Sequence, residues 1–158
     1  MVPQLSCRIH FTVRKAEVAD SAVITRFNLE LARETEGLTL DPAVVRRGVE
    51  TVLKDASKGL YFVAEADGVV VGQVMITYEW SDWRNGNIWW LQSVYVDPPF
   101  RRKGVFRALF DHLRVRAKAD PGVCTLRLYM HRDNAPARGS YASLGMTGTY
   151  YEVLELNL

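Results

Sequence analysis

Apolar residues recur along this chain at two periods, and the points where one period replaces the other divide it into elements. Ile9 to Val13 is a short β-like run. Val23, Ile24, Phe27 and Leu31 then share one face at helical spacing, with Asp20 placed to cap the helix and Gly37 to stop it. Asp41-Pro42 opens a second helix with an N-cap and a proline at the first helical position. Its apolar face holds Val45, Val49, Val52 and Leu53, and Lys58-Gly59 ends it. Leu60 to Ala66 and Val69 to Tyr78 are β-rich, and Asp67-Gly68 between them is a two-residue hairpin signal. After a polar turn over Ser81 to Asn87, Ile88 to Val96 is apolar almost without alternation, as expected of a central strand buried on both faces. Phe106, Leu109, Phe110, Leu113 and Ala117 stripe a helix over Gly104 to Lys118, with Arg107, Asp111, Arg114 and Lys118 opposite. Pro121-Gly122 turns into a strand from Thr125 to Met130. A short helix from Ala135 to Leu144 stops at Gly145, and Thr149 to Leu156 reads as a terminal strand. The order β-α-α-β-β-β-α-β-α-β predicts one α/β (α+β) domain over residues 1–158, with a mixed sheet.

Composition narrows the setting. The 158 residues are 48% hydrophobic and 24% charged, which is ordinary globular usage. A net charge of +2 gives no electrostatic reason to expect nucleic acid or an anionic membrane as partner. Cys7 and Cys124 lie far apart with no CxxC and no clustered histidines, so neither a metal site nor a disulfide framework is expected. With no apolar leader pattern and no long apolar run, a cytoplasmic protein is expected.

The segment from Val94 to Val105 carries the chemistry. It reads as a strand, then the basic turn Arg101-Arg102-Lys103-Gly104, then a helix start. The first amides of a helix lack intrahelical partners and the helix dipole favours an anion there. Three cations beside those amides, with a glycine where a phosphate would approach, suit a pyrophosphate. A solvated basic turn is the plainer alternative. Neither GxxxxGK[ST] nor GxGxxG is present.

These residues resemble the signature [QR]-x-x-G-x-[GA] of the GNAT superfamily of acetyl-CoA-dependent N-acetyltransferases. Here it reads Arg101-Arg102-Lys103-Gly104-Val105-Phe106, after Leu91-Gln92-Ser93-Val94-Tyr95-Val96-Asp97-Pro98. Phe106 departs from the family's small residue, and the helical stripe places it on the core face. A second block, Asn134-x-x-Ala137-x-x-x-Tyr141-x-x-x-Gly145-Met146, also matches. The resemblance implies a twisted, mostly antiparallel mixed sheet with helices on both faces, whose fourth strand bulges and splays from the fifth. It implies acetyl-CoA as cosubstrate and no metal. The backbone of Val94, Tyr95 and Val96 would hold the pantetheine arm. Arg101, Arg102, Lys103, Gly104, Val105 and Phe106 would hold the pyrophosphate, and Asn134 would stand near the arm. Tyr141 aligns with the family's general acid, against a plainer reading as a core aromatic on the Ala137-Tyr141-Leu144 stripe.

The base is open at this level. The fourth strand offers Gln92 and Ser93 where many relatives carry an acid, so Glu79, acting through water, and His131 are the candidates. Tyr78, Trp80, Trp83, Trp89 and Trp90 crowd one hairpin with Glu79 and Asp82. This suits an alkylammonium, or else packing within the hairpin or a homodimer surface. Glu30, Glu34 and Glu36 add acid to the segment that shapes the acceptor pocket in proteins of this kind. The expected activity is acetyl transfer to a primary amine of a small molecule or peptide. The alternative is a non-catalytic acyl-CoA-binding module of the same fold.

Overall fold

The computed structural model describes residues 10–157. One five-stranded sheet, in the order β1-β2-β3-β4-β5, forms its centre. The strands are β1 (Thr12–Lys15), β2 (Leu60–Ala66), β3 (Val69–Ser81), β4 (Gly86–Val96) and β5 (Val123–Arg127). The first four are antiparallel neighbours and β5 runs parallel to β4. The helices are α1 (Ser21–Glu36), α2 (Pro42–Lys54), α3 (Val105–Ala119) and α4 (Ala135–Ser143).

Side-chain alternation explains the layers. On β2, Phe62 and Ala64 join a core with Leu109, Phe110 and Leu113 of α3. Their neighbours Tyr61 and Val63 point to the opposite face and pack with Ile24 of α1 and Val49 of α2. A strand buried on both faces therefore needs helices on both sides, which is why this stretch is continuously apolar. Gly72 on β3 lets α3 sit close, because a Cβ there would stand 2.7 Å from Val105 Cγ1 and 3.2 Å from the Tyr95 carbonyl oxygen.

Several boundaries differ from the sequence expectation. The hairpin arms of β3 and β4 extend to Ser81 and Gly86, because their ladder continues through Glu79↔Ile88, Trp80↔Asn87 and Ser81↔Gly86. Asp41 caps α2 as expected, accepting from the Ala43 amide at 2.8 Å, but the helix ends at Lys54. Asp20 precedes α1 without capping it; its carboxylate is turned to Arg14 and to the Glu17 amide. β5 stops at Arg127, short of Met130. Thr149 to Leu156 is not a strand and makes no ladder, and its residues are exposed. Ile9, the expected start of the first strand, lies outside the described residues. Among those described, no helix is long and apolar enough to cross a membrane.

Candidate active site

The site begins at a fault in the β3–β4 ladder. Gln73 pairs with Tyr95 and Met75 with Gln92, so Ser93 and Val94 together oppose Val74. Ser93 takes a left-handed conformation, φ 50°. The bulge is held from behind by a side chain with no exposure: Gln73 Nε2 donates to the Ser93 carbonyl at 3.1 Å and to Asn28 Oδ1 at 2.7 Å. Asn28 Nδ2 in turn donates to the Tyr61 hydroxyl at 2.9 Å. Pairing with β5 has already ended at Trp90↔Arg127. The second half of β4 therefore has an open side, which gives the expected splay. The Asp97 amide donates to the Val71 carbonyl at 2.9 Å, which makes Gly72↔Val96 a non-hydrogen-bonded pair and turns the Val96 amide and carbonyl toward that opening.

Beyond β4, a 3-10 turn at Pro98–Phe100 leads to Arg102, φ 61°, and Gly104, φ 94°. Gly104 is required by this backbone rather than by crowding, since a Cβ there would meet nothing within 4 Å. The first intrahelical bond of α3 runs from the Ala108 amide to the Gly104 carbonyl at 3.0 Å. The amides of Val105, Phe106 and Arg107 precede it and lack helical partners. A cleft of about 290 Å³ lies here, with Val96, Arg101, Arg102, Gly104 and Arg107 in its wall. Arg101, in its wall, is a strut to α1: Nε donates to the Val96 carbonyl at 2.9 Å and Nη2 pairs with Glu34 at 2.7 Å. The Tyr95 hydroxyl also donates to Glu34, at 3.0 Å. Burial pushes the Glu34 pKa up, but the bonds from Arg101 and Tyr95 outweigh it and hold it below the usual value. Lys103 packs over the Phe100 ring, 5.4 Å from its centroid.

A larger cleft of about 750 Å³ adjoins the first, and Phe106 and Ser140 belong to both walls. Ser93, Val94, Asn134 and Tyr141 line it together. Asn134 caps α4 by accepting from the Ala137 amide at 3.1 Å, so capping and lining coexist in one residue. Tyr141 stands edge-on to Phe106 with ring centroids 5.4 Å apart, and burial raises its phenol pKa. Phe106 is partly buried against the α3 core, as its stripe position required, while also walling both clefts.

The two base candidates part company. Glu79 is absent from both walls; Trp90 Nε1 donates to its carboxylate at 2.5 Å and Arg127 stands 3.5 Å away. His131 lines the larger cleft, past the end of β5. The aromatic hairpin is no single cluster. Trp89 is buried against α3, Trp90 packs at a tilt against Tyr129 with ring centroids 5.8 Å apart, and Trp80 and Trp83 are solvent-exposed. Tyr129 is a cleft residue that the sequence reading passed over, and its hydroxyl reaches Gln92 Oε1 at 3.4 Å. A strand expected to run to Met130 hid it, because the apolar run continues through Leu128 to Met130 while the ladder with β4 ends at Arg127.

The family model for the Acetyltransferase (GNAT) family matches residues 28–146. Among curated proteins there is no match. A possible acetyltransferase from Clostridium difficile 630 superposes with a TM-score of 0.88 at 43% identity, covering 94% of this chain and 97% of that one. A predicted acetyltransferase from Clostridium acetobutylicum, solved with acetyl-CoA, gives 0.73 at 20% identity over 94% and 96%. An aminoglycoside N-acetyltransferase in complex with CoA gives 0.78 at 18% over 99% of each chain. The match spans the bulge, the basic turn, α3 and α4, and the chain belongs to the GNAT acetyltransferase family.

Proposed function

We infer that this chain transfers an acetyl group from acetyl-CoA to a primary amine. One observation carries the reading: the bulged half of β4, unpaired on its β5 side, leads directly into the cationic turn and the free amides of α3. In this reading the pantetheine arm lies along Val94, Tyr95 and Val96. The pyrophosphate meets the backbone from Arg102 to Phe106 and the Arg102 side chain. Arg101, tied to Glu34, fixes the turn. The amine nitrogen attacks the thioester carbonyl carbon, the C–S bond breaks, and Tyr141 protonates the departing thiolate. The proton lost by the amine passes to water or to His131, which lines the same cleft; Glu79 is occupied by Trp90 and Arg127. The functional unit is proposed to be a homodimer, since Trp83, Tyr150 and Leu154 are left largely in solvent and the outer edge of β5 is unpaired among the described residues.

Gly104→Glu tests the cofactor placement. It puts bulk and negative charge on a residue whose φ of 94° already disfavours a side chain. Calorimetric titration with acetyl-CoA should show binding nearly abolished in a folded variant, and undiminished affinity would refute the placement. Acetyl-CoA binding to the parent protein without CoA release from any amine would instead make the chain a binding module.

A further inference from the structure

The larger cleft has a wall built from α1, α2 and the connection between them, polar at Asn28, Thr35 and Glu36 and otherwise apolar. Leu31 and Ala32 of α1, Leu40 of the α1–α2 connection and Val45 of α2 face Met130 beyond β5. The acidic run on α1 is largely spent elsewhere. Glu30 is paired with Arg33 on its own helix, and Glu34 is taken by Arg101 and Tyr95. Glu36 alone of the three belongs to the wall, and no lysine or arginine does among the described residues. The exposed Trp80 and Trp83 are likewise absent from it, so they form no cage for a second ammonium.

We propose that the acceptor is a small monoamine with an apolar body and no carboxylate or phosphate, a substrate class that rests on the acetyl-transfer reading above. An anionic group entering this wall would leave water with no lysine or arginine to meet it, and His131, also in the lining, must stay neutral to accept the amine's proton. A second ammonium would be desolvated against leucine and valine side chains with one carboxylate to share. An alkyl or aryl body instead gains from burial, and each methylene is worth roughly tenfold or more in a fitted apolar pocket. Neutral polar groups remain for orientation: Asn28 and Gln92 reach the cleft while held by Tyr61, Gln73, Thr77 and Tyr129.

Matched amines at saturating acetyl-CoA test this with the full-length protein. 3-Methylbutylamine should exceed leucine, which adds only a carboxylate, by at least about tenfold in kcat/KM. Pentylamine should exceed 1,5-diaminopentane by a similar factor, and both monoamines should exceed glucosamine 6-phosphate and an alanine-initiated peptide amide. Equal or faster turnover of any anionic, dicationic or peptide acceptor would overturn the assignment. So would a failure to acetylate either monoamine by a protein that binds acetyl-CoA in calorimetry; a protein that does not bind acetyl-CoA refutes the transfer reading itself. In the second arm, Leu31→Asn should raise the KM for pentylamine about tenfold and leave acetyl-CoA affinity unchanged. An unchanged KM in that variant would also overturn it.

Discussion

Tyr141 makes an edge-to-face pair with Phe106 and lines a cleft shared with Ser93 and Asn134. Removing only the hydroxyl separates its two readings. Tyr141→Phe should keep the ring contact and acetyl-CoA affinity while kcat falls by ~10²–10⁴-fold, the usual worth of a positioned general acid. A decrease within about threefold, with chemistry rate-limiting, would withdraw the catalytic role. Burial raises this phenol above the ordinary tyrosine value, and a general acid works only while protonated. The alkaline limb of kcat should therefore lie above pH ~10 and be missing in the variant. The places of Tyr141 in the cleft lining, Asn134 at the α4 cap and Gly104 at the α3 start were legible in the sequence because each depends on neighbours in one local motif. Gln73, Asn28 and Glu34 were not, since the bulge support joins positions 28, 73 and 93 and the strut joins 34 and 101. Only sheet register and helix docking bring them together.

At the level of elements, hydrophobic periodicity located α1, α2, α3 and the central hairpin, because each buries a continuous stripe. It failed where ends are fixed by pairing partners. β5 ends where β4 diverges, and residues 149–156 have strand-like composition without a strand to pair with. Arg14 shows how one edge is joined. From β1 it bonds Asp20, before α1, at 2.8 and 2.9 Å, and Glu65 of β2 at 2.6 and 2.9 Å. Arg14→Leu leaves a largely buried Asp20 carboxylate without its cation and should cost about 2 kcal/mol in denaturant unfolding. The bond from Arg14 is the main cause of the lowered Asp20 pKa, burial opposing it. A depressed carboxylate contributes stability above its unfolded value near 4, and loses it as pH falls through the folded value. Arg14→Leu should therefore flatten the stability profile below pH ~4, and a profile parallel to the parent's would contradict this.

For the whole molecule, the surface is the part least determined by the sequence pattern. Tyr150, Tyr151, Val153, Leu154 and Leu156 are all exposed, and Arg132–Glu152 at 3.2 Å is a solvent-facing pair. In the proposed dimer this segment and the β3–β4 tip would be covered by a second copy. Sedimentation at micromolar concentration should show about twice the 17.9 kDa chain mass, and truncation after Gly148 should return the monomer. A single 17.9 kDa species for the intact chain would refute the dimer.

The division of the four tryptophans among separate environments gives the protein an optical signature. Trp89, inside the α3 core, should emit to the blue, and Trp80 and Trp83 to the red. Trp90 lies between them in character, tilted against Tyr129, which lines the larger cleft, and covered by Arg127 at 5.4 Å. Its emission is thus coupled to whatever occupies that cleft. With Trp80 and Trp83 replaced by phenylalanine, acceptor binding becomes readable as a fluorescence change, without waiting for turnover.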